Sequence, residues 1–322
     1  MKRIITVTSF FISLQIFAQD TTMNSLIKDM SSKTIGNEKK RVKIFNSYKA
    51  INATTTEMTG KGKMDFNVTH NFGDIAGSGG GTKTFFGLDA ITDDRIGFNI
   101  GLGKKIDLIT ARAKGSGPVQ NLWQMGFKYL LLQQLENDPS HPLSIAVYAD
   151  AVMATQKRSK LNNRENSFTS LSDRITNTVE LILARKMGKV SLQLNPVFIT
   201  RGYTLSYDQK SMFALGGAIR LPLSKNINMV VDYFHPFRNQ SSKDGFATDS
   251  LSGSGIKKFY DPIGVGFEII TAGHIFHMNF TNATEIIESR FIPRTISSWG
   301  KGQFRWGFTI SRTFVLWREK KK

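Results

Sequence analysis

The sequence predicts an all-β fold, an antiparallel transmembrane β-barrel of about twelve strands. Three observations lead to this prediction. Apolar and polar residues alternate over many segments that are longer than ordinary globular strands. Short connections alternate with long ones between these segments. No segment after the N-terminus has the run of about 18 apolar residues that a transmembrane helix requires.

Residues 1–18 have the layout of a secretory signal peptide. Lys2 and Arg3 precede an apolar stretch, and Ala18 marks the expected cleavage point. The stretch is too short, and too rich in Ser and Thr, to be a helical membrane anchor. We therefore expect an exported protein, located in the cell outer membrane with both termini in the periplasm.

Residues 19–60 are polar and basic and show no strand pattern. We expect them to form a short N-terminal segment that either stays in the periplasm or inserts into the lumen as a plug. Residues 61–322 are expected to form the barrel.

Alternation with a period of two identifies the individual strands, because successive side chains of a strand point to opposite faces. In one segment Ile145 and Val147 alternate with Ala146, Tyr148 and Asp150. The predicted strands are 61–71, 93–102, 106–114, 121–134, 142–155, 174–186, 189–201, 209–222, 226–237, 258–270, 274–283 and 303–317. Most exceed the ~9–11 residues that a tilted strand needs to cross a bilayer.

The predicted connections sort by length along the chain. Short turns, such as those at Met187-Gly188 and Ser224-Lys225, alternate with longer loops, such as 156–173 and 238–257. Outer-membrane barrels have short periplasmic turns and long extracellular loops. The residues expected in the aromatic belts at the two membrane surfaces are Trp123, Tyr129, Tyr233, Phe234, Trp299 and Trp317.

The amino-acid composition excludes several kinds of functional site and partner. The chain has no cysteine, so no disulfide or thiolate metal site is expected, and no metal-binding or cofactor motif is present. The net charge is +18. Because an exported barrel does not normally meet nucleic acid, the expected partners are outer-membrane lipid and lipopolysaccharide, and possible further partners are other envelope proteins.

If the bulky apolar face of each strand meets lipid, the opposite face lines the lumen and carries the charged residues. The lumen-facing candidates are Lys128, Asp150, Glu180, Arg220, Asp232, Glu268 and Arg305. They permit two interpretations, a selective polar pore or an internal salt-bridge network that fills a narrow lumen. The loop 284–302 is expected either to constrict the lumen or to cap its surface.

No catalytic constellation is evident, and we expect the protein not to be an enzyme. His235 with Asp244 and Asp249 is the best candidate for an acid–base site, and it lacks a nucleophile. The predicted function is a narrow channel or transporter for small polar or anionic solutes. The alternative is a non-conducting scaffold or accessory subunit of an envelope complex.

The stretch from Arg41 to Gly73 resembles the N-terminal signature of a Bacteroidota outer-membrane β-barrel family, domain of unknown function 5777. The resemblance implies an outer-membrane barrel and implies no reaction or substrate. Lys49 and Asn71 stand where that signature has arginines. The matching residues are Phe45, Ser47, Ile51, Asn52, Gly62, Phe66, His70, Phe72 and Gly73, followed by Phe86-Gly87-Leu88-Asp89, Thr281-Asn282 and Phe291-Ile292-Pro293.

Overall fold

The computed structural model describes residues 40–249 and 258–318. The predicted signal peptide, residues 1–18, lies outside these ranges. Within the described residues, twelve antiparallel strands pair each with the next, and β1 pairs with β12 to close the barrel. The strands are β1 Lys63–Asp74, β2 Ile91–Gly101, β3 Ile106–Ala113, β4 Leu122–Leu132, β5 Ser144–Ala154, β6 Ile175–Met187, β7 Val190–Arg201, β8 Ser211–Pro222, β9 Ile227–Phe237, β10 Ile263–Ile270, β11 Ile275–Thr281 and β12 Arg305–Val315.

The predicted fold class and strand number are confirmed. Several strands begin one or two residues later than predicted, and the largest difference is at the segment expected at 258–270, which becomes a strand only at Ile263. Pro262 has no N–H for a ladder bond, and Tyr260 N instead donates to Thr295 O at 2.9 Å. The carbonyl of Pro262 still accepts from Phe234 N of β9 at 3.0 Å, so the regular ladder begins only after Pro262.

The two faces of each strand differ as the alternation predicts. On β4, Trp123, Phe127 and Tyr129 are about half exposed on the outer surface, whereas Gln124 and Lys128 are buried inside. This outer apolar band suits hydrocarbon, and closure leaves no unpaired strand edge within it.

The prediction that Phe234 lies in an aromatic belt at a membrane surface is wrong. It faces the lumen rather than the membrane surface, is fully buried, and packs edge-on against Phe291 with ring centroids 5.3 Å apart. Its place in the β9 alternation puts it on the same face as Asp232. Trp299 lies in a long loop, stacked on Phe304.

The barrel has two unlike ends, which we call the turn end and the loop end. The turn end carries the short connections 102–105, 188–189, 223–226 and 271–274, with a longer one at 133–143. The loop end carries two short helices, α1 (Gln240–Thr248) and α2 (Glu288–Arg294). No helix among the described residues is long and apolar enough to span a membrane.

Closure of the barrel can be tested with a cysteine pair, because the chain has no other cysteine. Thr69 and Thr309 face each other across the β1–β12 seam, with their hydroxyl oxygens 3.0 Å apart. We expect the Thr69→Cys/Thr309→Cys variant to form a disulfide on oxidation, since opposed Cβ atoms lie close enough for one. A gel-mobility difference between boiled oxidised and boiled reduced samples would report it. Each single variant is the control, and failure of the pair to cross-link would contradict the seam.

Candidate functional site: a filled lumen

The seven charged residues predicted to face the lumen are all buried. Lys128 and Glu180 are fully buried, and even Asp150 and Arg220 are only 6% exposed. Each stands on the inward face of its strand, as the alternation requires.

An irregular chain segment occupies the space that these side chains surround. We call residues 41–60 the plug. It starts beside the 133–143 connection, where Val42 N donates to Gln134 O at 3.0 Å. It turns back on itself at residues 50–53, where Ala50 N donates to Ala53 O at 2.8 Å. The turn leaves neighbouring backbone N–H groups without partners within the plug.

Asp232 supplies those partners. Its carboxylate accepts hydrogen bonds from the backbone N–H groups of Ile51 at 3.1 Å, Asn52 at 2.5 Å and Ala53 at 2.8 Å. The Asn52 side chain donates to the other carboxylate oxygen at 3.0 Å. Consecutive backbone N–H groups that converge in this way form an anion-binding nest. Here the anion belongs to the barrel wall, so the nest fixes the plug to β9.

Arg220 and Glu268 hold the first part of the plug. Arg220 Nε donates to Ile44 O at 2.9 Å. Glu268 accepts from the side chain of Asn46 at 2.6 Å, and its second oxygen lies 3.4 Å from His277 Nε2. Ser47 lies between Glu268 and His277, within 3.3 Å of both.

Lys128 holds the last part of the plug from the opposite wall. Its ammonium donates to Thr55 O at 3.1 Å and to Glu57 O, and it lies 4.7 Å from the centre of the Tyr48 ring. Asp107 accepts from Thr59 N at 2.8 Å. The wall thus satisfies backbone groups along most of the plug.

Asp150 and Glu180 have partners in the wall itself. Asp150 accepts from Tyr148 Oη at 2.8 Å and from Gln124 at 2.6 Å, and Glu180 accepts from Asn195. Within the described part of the chain, none of the seven residues forms an ion pair with another of the seven. Arg305 instead pairs with Asp74 and Glu268 lies beside His277, while the other partners are mostly plug backbone and neutral side chains.

A second segment enters the lumen from the loop end. We call residues 282–298 the inserted loop, and most of its side chains are buried. Arg305 holds its base by donating to Thr284 and Ser297, each at 2.7 Å. Asp93 accepts from Ile286 N at 2.9 Å. The loop was expected either to constrict the lumen or to cap its surface, and the structure shows it inside the lumen.

The plug and the inserted loop touch each other. Lys49 Nζ lies 2.8 Å from Glu288 Oε1, and Thr54 Oγ1 donates to the same oxygen at 2.7 Å. Lys49 also donates to Ile286 O at 3.2 Å. The Glu288 side chain is fully buried, so this ion pair is sheltered from water.

An apolar cluster also fills part of the lumen, between the plug, the inserted loop and the wall. Phe45 of the plug and Phe291 of the inserted loop belong to one cluster with the wall residue Phe234. The cluster spans both segments and strands β6 to β9. Its remaining members are Ile44, Ala50, Ile51, Ala53, Ala184, Val197, Ile199, Ala214, Ala218, Val230, Ala283 and Ile292.

Two cavities beside the segments that fill the lumen are small. One cavity of about 20 Å³ lies beside Ser47 and Tyr48 against β1, β11 and β12. A second, of about 30 Å³, lies near Arg290 at the loop end. Each holds one or two water molecules at most, and neither accommodates a solute.

Several residues that hold the plug were not identified from the sequence as lumen residues. Lys49, Thr54 and Glu288 lie in segments without strand alternation, so no periodicity reveals where they point. Ile51 and Asn52 belong to the signature that matches the family. That match was the one available signal, and the structure shows that these residues form the nest around Asp232.

The candidate acid–base site does not assemble. His235 Nδ1 lies 2.9 Å from Asp261, and although His235 and Asp244 line one cavity, the contacts of Asp244 and Asp249 are with other residues. Asp244 accepts from Gln240, and Asp249 accepts from Tyr207. Among the described residues, no group of three or more histidines and carboxylates is arranged to hold a metal ion.

The loop end has a charge cluster of its own. Asp208 lies 2.7 Å from Arg201 and also contacts Arg238. Burial opposes ionisation of Asp208, but the two guanidinium groups outweigh it and hold the pKa of this carboxyl below its usual range. Asp208 is therefore ionised at neutral pH and ties the 202–210 loop to the end of β9.

The family model described as a membrane-bound beta barrel domain (DUF5777) matches residues 45–314, from the plug to the last strand. The chain belongs to this family. The resemblance inferred from the sequence is thereby confirmed, and the barrel with its apolar outer band is a membrane-bound barrel of the outer-membrane type. The match includes most of the plug, so the plug is part of the family domain.

Solved structures with a similar fold include porins and channels. The NanC porin is 7% identical, with 78% of this chain and 98% of that chain covered and a TM-score of 0.45. The KdgM porin is 10% identical, with 78% and 99% covered and a TM-score of 0.43. The COG4313 outer membrane channel from Pseudomonas putida F1 is 12% identical, with 80% and 98% covered and a TM-score of 0.45. At these identities, what those proteins conduct does not carry over to this chain. No curated protein sequence matches it significantly.

Removing the carboxylate of Asp232 should unseat the plug. Asp232→Ala leaves three buried N–H groups without a partner, which costs about 3 kcal/mol or more. That cost corresponds to a roughly hundredfold larger population of molecules with a displaced plug in the variant than in the wild type. In an Ala53→Cys background we expect maleimide labelling of the folded barrel to be slow with Asp232 present and much faster with Asp232→Ala.

Gly264→Val provides a second variant for the same test. A Cβ atom at Gly264 would lie 2.7 Å from Asp232 Oδ1 and 2.8 Å from the Asn52 amide nitrogen. It should therefore also accelerate labelling at position 53. Asp89→Ala, at an exposed position in a long loop, is the matched control. Equal labelling rates in all variants would contradict the role assigned to Asp232.

The Asp208 cluster predicts a pH dependence at the loop end. The pKa of Asp208 is lowered in the folded protein. The stabilisation that its ion pairs give to the 202–210 loop is therefore complete above the ordinary aspartate pKa of about 4. It is lost only as the pH falls through the lower, folded value. We expect protease cleavage within 202–210 to be equally slow at pH 7 and pH 5 in the wild type, and faster at both in Asp208→Asn. A wild-type increase between pH 7 and pH 5 would be inconsistent with this assignment.

Proposed function

We propose that this outer-membrane barrel is sealed in its resting form and acts as a non-conducting scaffold or accessory subunit of an envelope complex. We also propose that the turn end faces the periplasm and that the protein is not an enzyme. The observation that carries the proposal is the contact between the two segments inside the lumen. Lys49 and Thr54 of the plug bind Glu288 of the inserted loop, and both segments share one apolar cluster with the wall.

The nature of the contacts favours a sealed lumen over a polar pore. A solute pathway needs wall charges that face water, whereas Asp232, Lys128 and Arg220 are bound to plug backbone. Each of these buried groups would lose its partner if the plug left, and that loss is unfavourable. The support is therefore for a filled barrel that presents its two ends to partners.

A gated channel for small polar or anionic solutes is the second candidate. It is favoured by the polar character of the wall on the side away from the apolar cluster, where Asn67, Arg95 and Asn99 face inward. If the plug were withdrawn, this wall would line a wet passage. The two candidates therefore differ in whether the plug leaves the lumen in the membrane.

Planar-bilayer recordings separate these functions. We expect purified, folded wild-type protein to show no stepwise ion conductance, because the plug and the inserted loop fill the lumen. A variant lacking residues 41–57 should conduct, since it loses the contacts of Lys49 and Asp232. Lys157→Gln, at an exposed outer position, is the control and should remain silent.

Stepwise conductance of the wild-type protein would overturn the proposal. If the deletion variant does not fold, Lys49→Ala with Asp232→Ala provides an alternative, because it weakens two plug contacts without shortening the chain. Conductance that appears in the double variant but not in the wild type would support a seal made by the plug.

A further inference from the structure

A groove of about 650 Å³ crosses the outer face of strands β6 to β9. It is far larger than the two cavities beside the plug and the inserted loop, and it falls in the range of ~300–1,000 Å³ that is usual for ligand sites. Gly217 forms its floor, because this outward position on β8 has no side chain. Leu194 and Tyr233 pair with Gly217 from the neighbouring strands and form its walls. Four strands at ~4.8 Å spacing make the groove about 14 Å long.

The lining of the groove is apolar along its middle, and the polar atoms at its loop end already have partners. The hydroxyl of Tyr233 donates to Asp261, and His235 Nδ1 lies 2.9 Å from the same carboxylate. That end of the groove is therefore satisfied within the protein. The apolar side chains that line the groove are Leu183, Met187, Leu192, Leu194, Leu215, Ile219 and Val231.

Arg185 lines the turn end of the groove. Its neighbour Ala184 belongs to the apolar cluster in the lumen, so the exposed Arg185 side chain points outward. It stands two residues before β6 ends at Met187. A cation on the lipid face is costly at mid-depth and tolerated near the membrane surface, which its long stem allows it to reach.

Arg185 differs from the other outward arginines of the strands. Arg112 donates to Leu122 O at 2.9 Å, and the guanidinium of Arg312 lies 5.2 Å from the centre of the Phe314 ring. Arg185 has no ion pair, hydrogen bond or ring contact within the residues that the structure describes. An apolar groove with one unpaired cation at its end complements a molecule with an apolar chain and an anionic head.

We propose that this groove is a binding site for a phospholipid, with one acyl chain lying over Gly217 and the phosphate bound to Arg185. The planar guanidinium can donate two parallel hydrogen bonds to a phosphate, and the chain gains close contact with the groove walls. The inference rests on the proposed function in one respect: a turn end that faces the periplasm places Arg185 in the phospholipid leaflet of the outer membrane.

Native mass spectrometry of the full chain in detergent with added palmitoyl-oleoyl phosphatidylglycerol tests the role of Arg185. We expect the wild type to retain one lipid saturably, and Arg185→Gln to bind it about tenfold more weakly, since a charge-assisted contact is lost. Arg312→Gln is the matched control, because it removes the same charge from an outward position near the turn end of β12. Absence of wild-type retention, or equal losses in the two variants, would overturn the proposal.

Filling the groove tests the position of the acyl chain. Gly217→Leu should weaken retention severalfold although Arg185 is unchanged. Its Cβ atom would lie 3.7 Å from Leu194 Cδ2 and 3.0 Å from Gln193 O, so a small shift accommodates it. Leu194→Trp narrows the groove without a new backbone contact, and Ala151→Leu adds bulk at an exposed outward position on β5 as the control. Retention unchanged in both groove variants would overturn the site.

Two further outcomes would assign the groove to another occupant. Retention of rough lipopolysaccharide in place of phosphatidylglycerol, with the same dependence on Arg185, would overturn the phospholipid and the orientation on which it rests. A lipid-free dimer that Gly217→Leu abolishes would assign the groove to a second copy of this chain. Wild-type conductance in planar bilayers would overturn the sealed barrel without changing lipid retention, so the two proposals fail separately.

Discussion

The structure depends on one constraint: the backbone of an irregular segment is buried in the lumen, and every N–H and C=O group there needs a partner. The plug provides some of these partners itself, since Glu57 accepts from the N–H groups of Ile44 and Phe45, and the wall provides many of the others. Asp232 binds three consecutive N–H groups, and Lys128 and Arg220 bind carbonyl oxygens. The charges inside the barrel are therefore explained by the segment that they hold, and a buried charge would be costly without it.

The same constraint links the two ends of the molecule. Glu288 stands at the start of α2 in the inserted loop and binds Lys49 and Thr54 of the plug. Displacement of either segment would leave buried charges unpaired in the other, which is strongly unfavourable. The plug and the inserted loop are thus energetically coupled, and the apolar cluster around Phe45, Phe234 and Phe291 reinforces the coupling.

Alternation with a period of two predicts the strands, the closed barrel and the inward direction of residues such as Asp150 and Arg220, because a strand has only two faces. It does not predict what those residues contact. Asp232 and the N–H groups of residues 51–53 are far apart in the chain, and no periodicity relates them. An aromatic residue near a strand end fits either face, so Phe234 is compatible with a belt at the membrane surface, and only its alternation with Tyr233 indicates the lumen, where it lies. The pairing of Tyr260 with Thr295 is equally invisible in the sequence.

Hydrogen exchange of the plug amides in the membrane-embedded protein tests the central claim most directly. Backbone amides that are bound to the wall exchange only when the plug opens, whereas amides of exposed loops exchange freely. The account predicts that the N–H groups of Ile51, Asn52 and Ala53 are protected to a similar degree as those in the middle of β9. Exchange at these three positions as fast as in the 155–174 loop would contradict it.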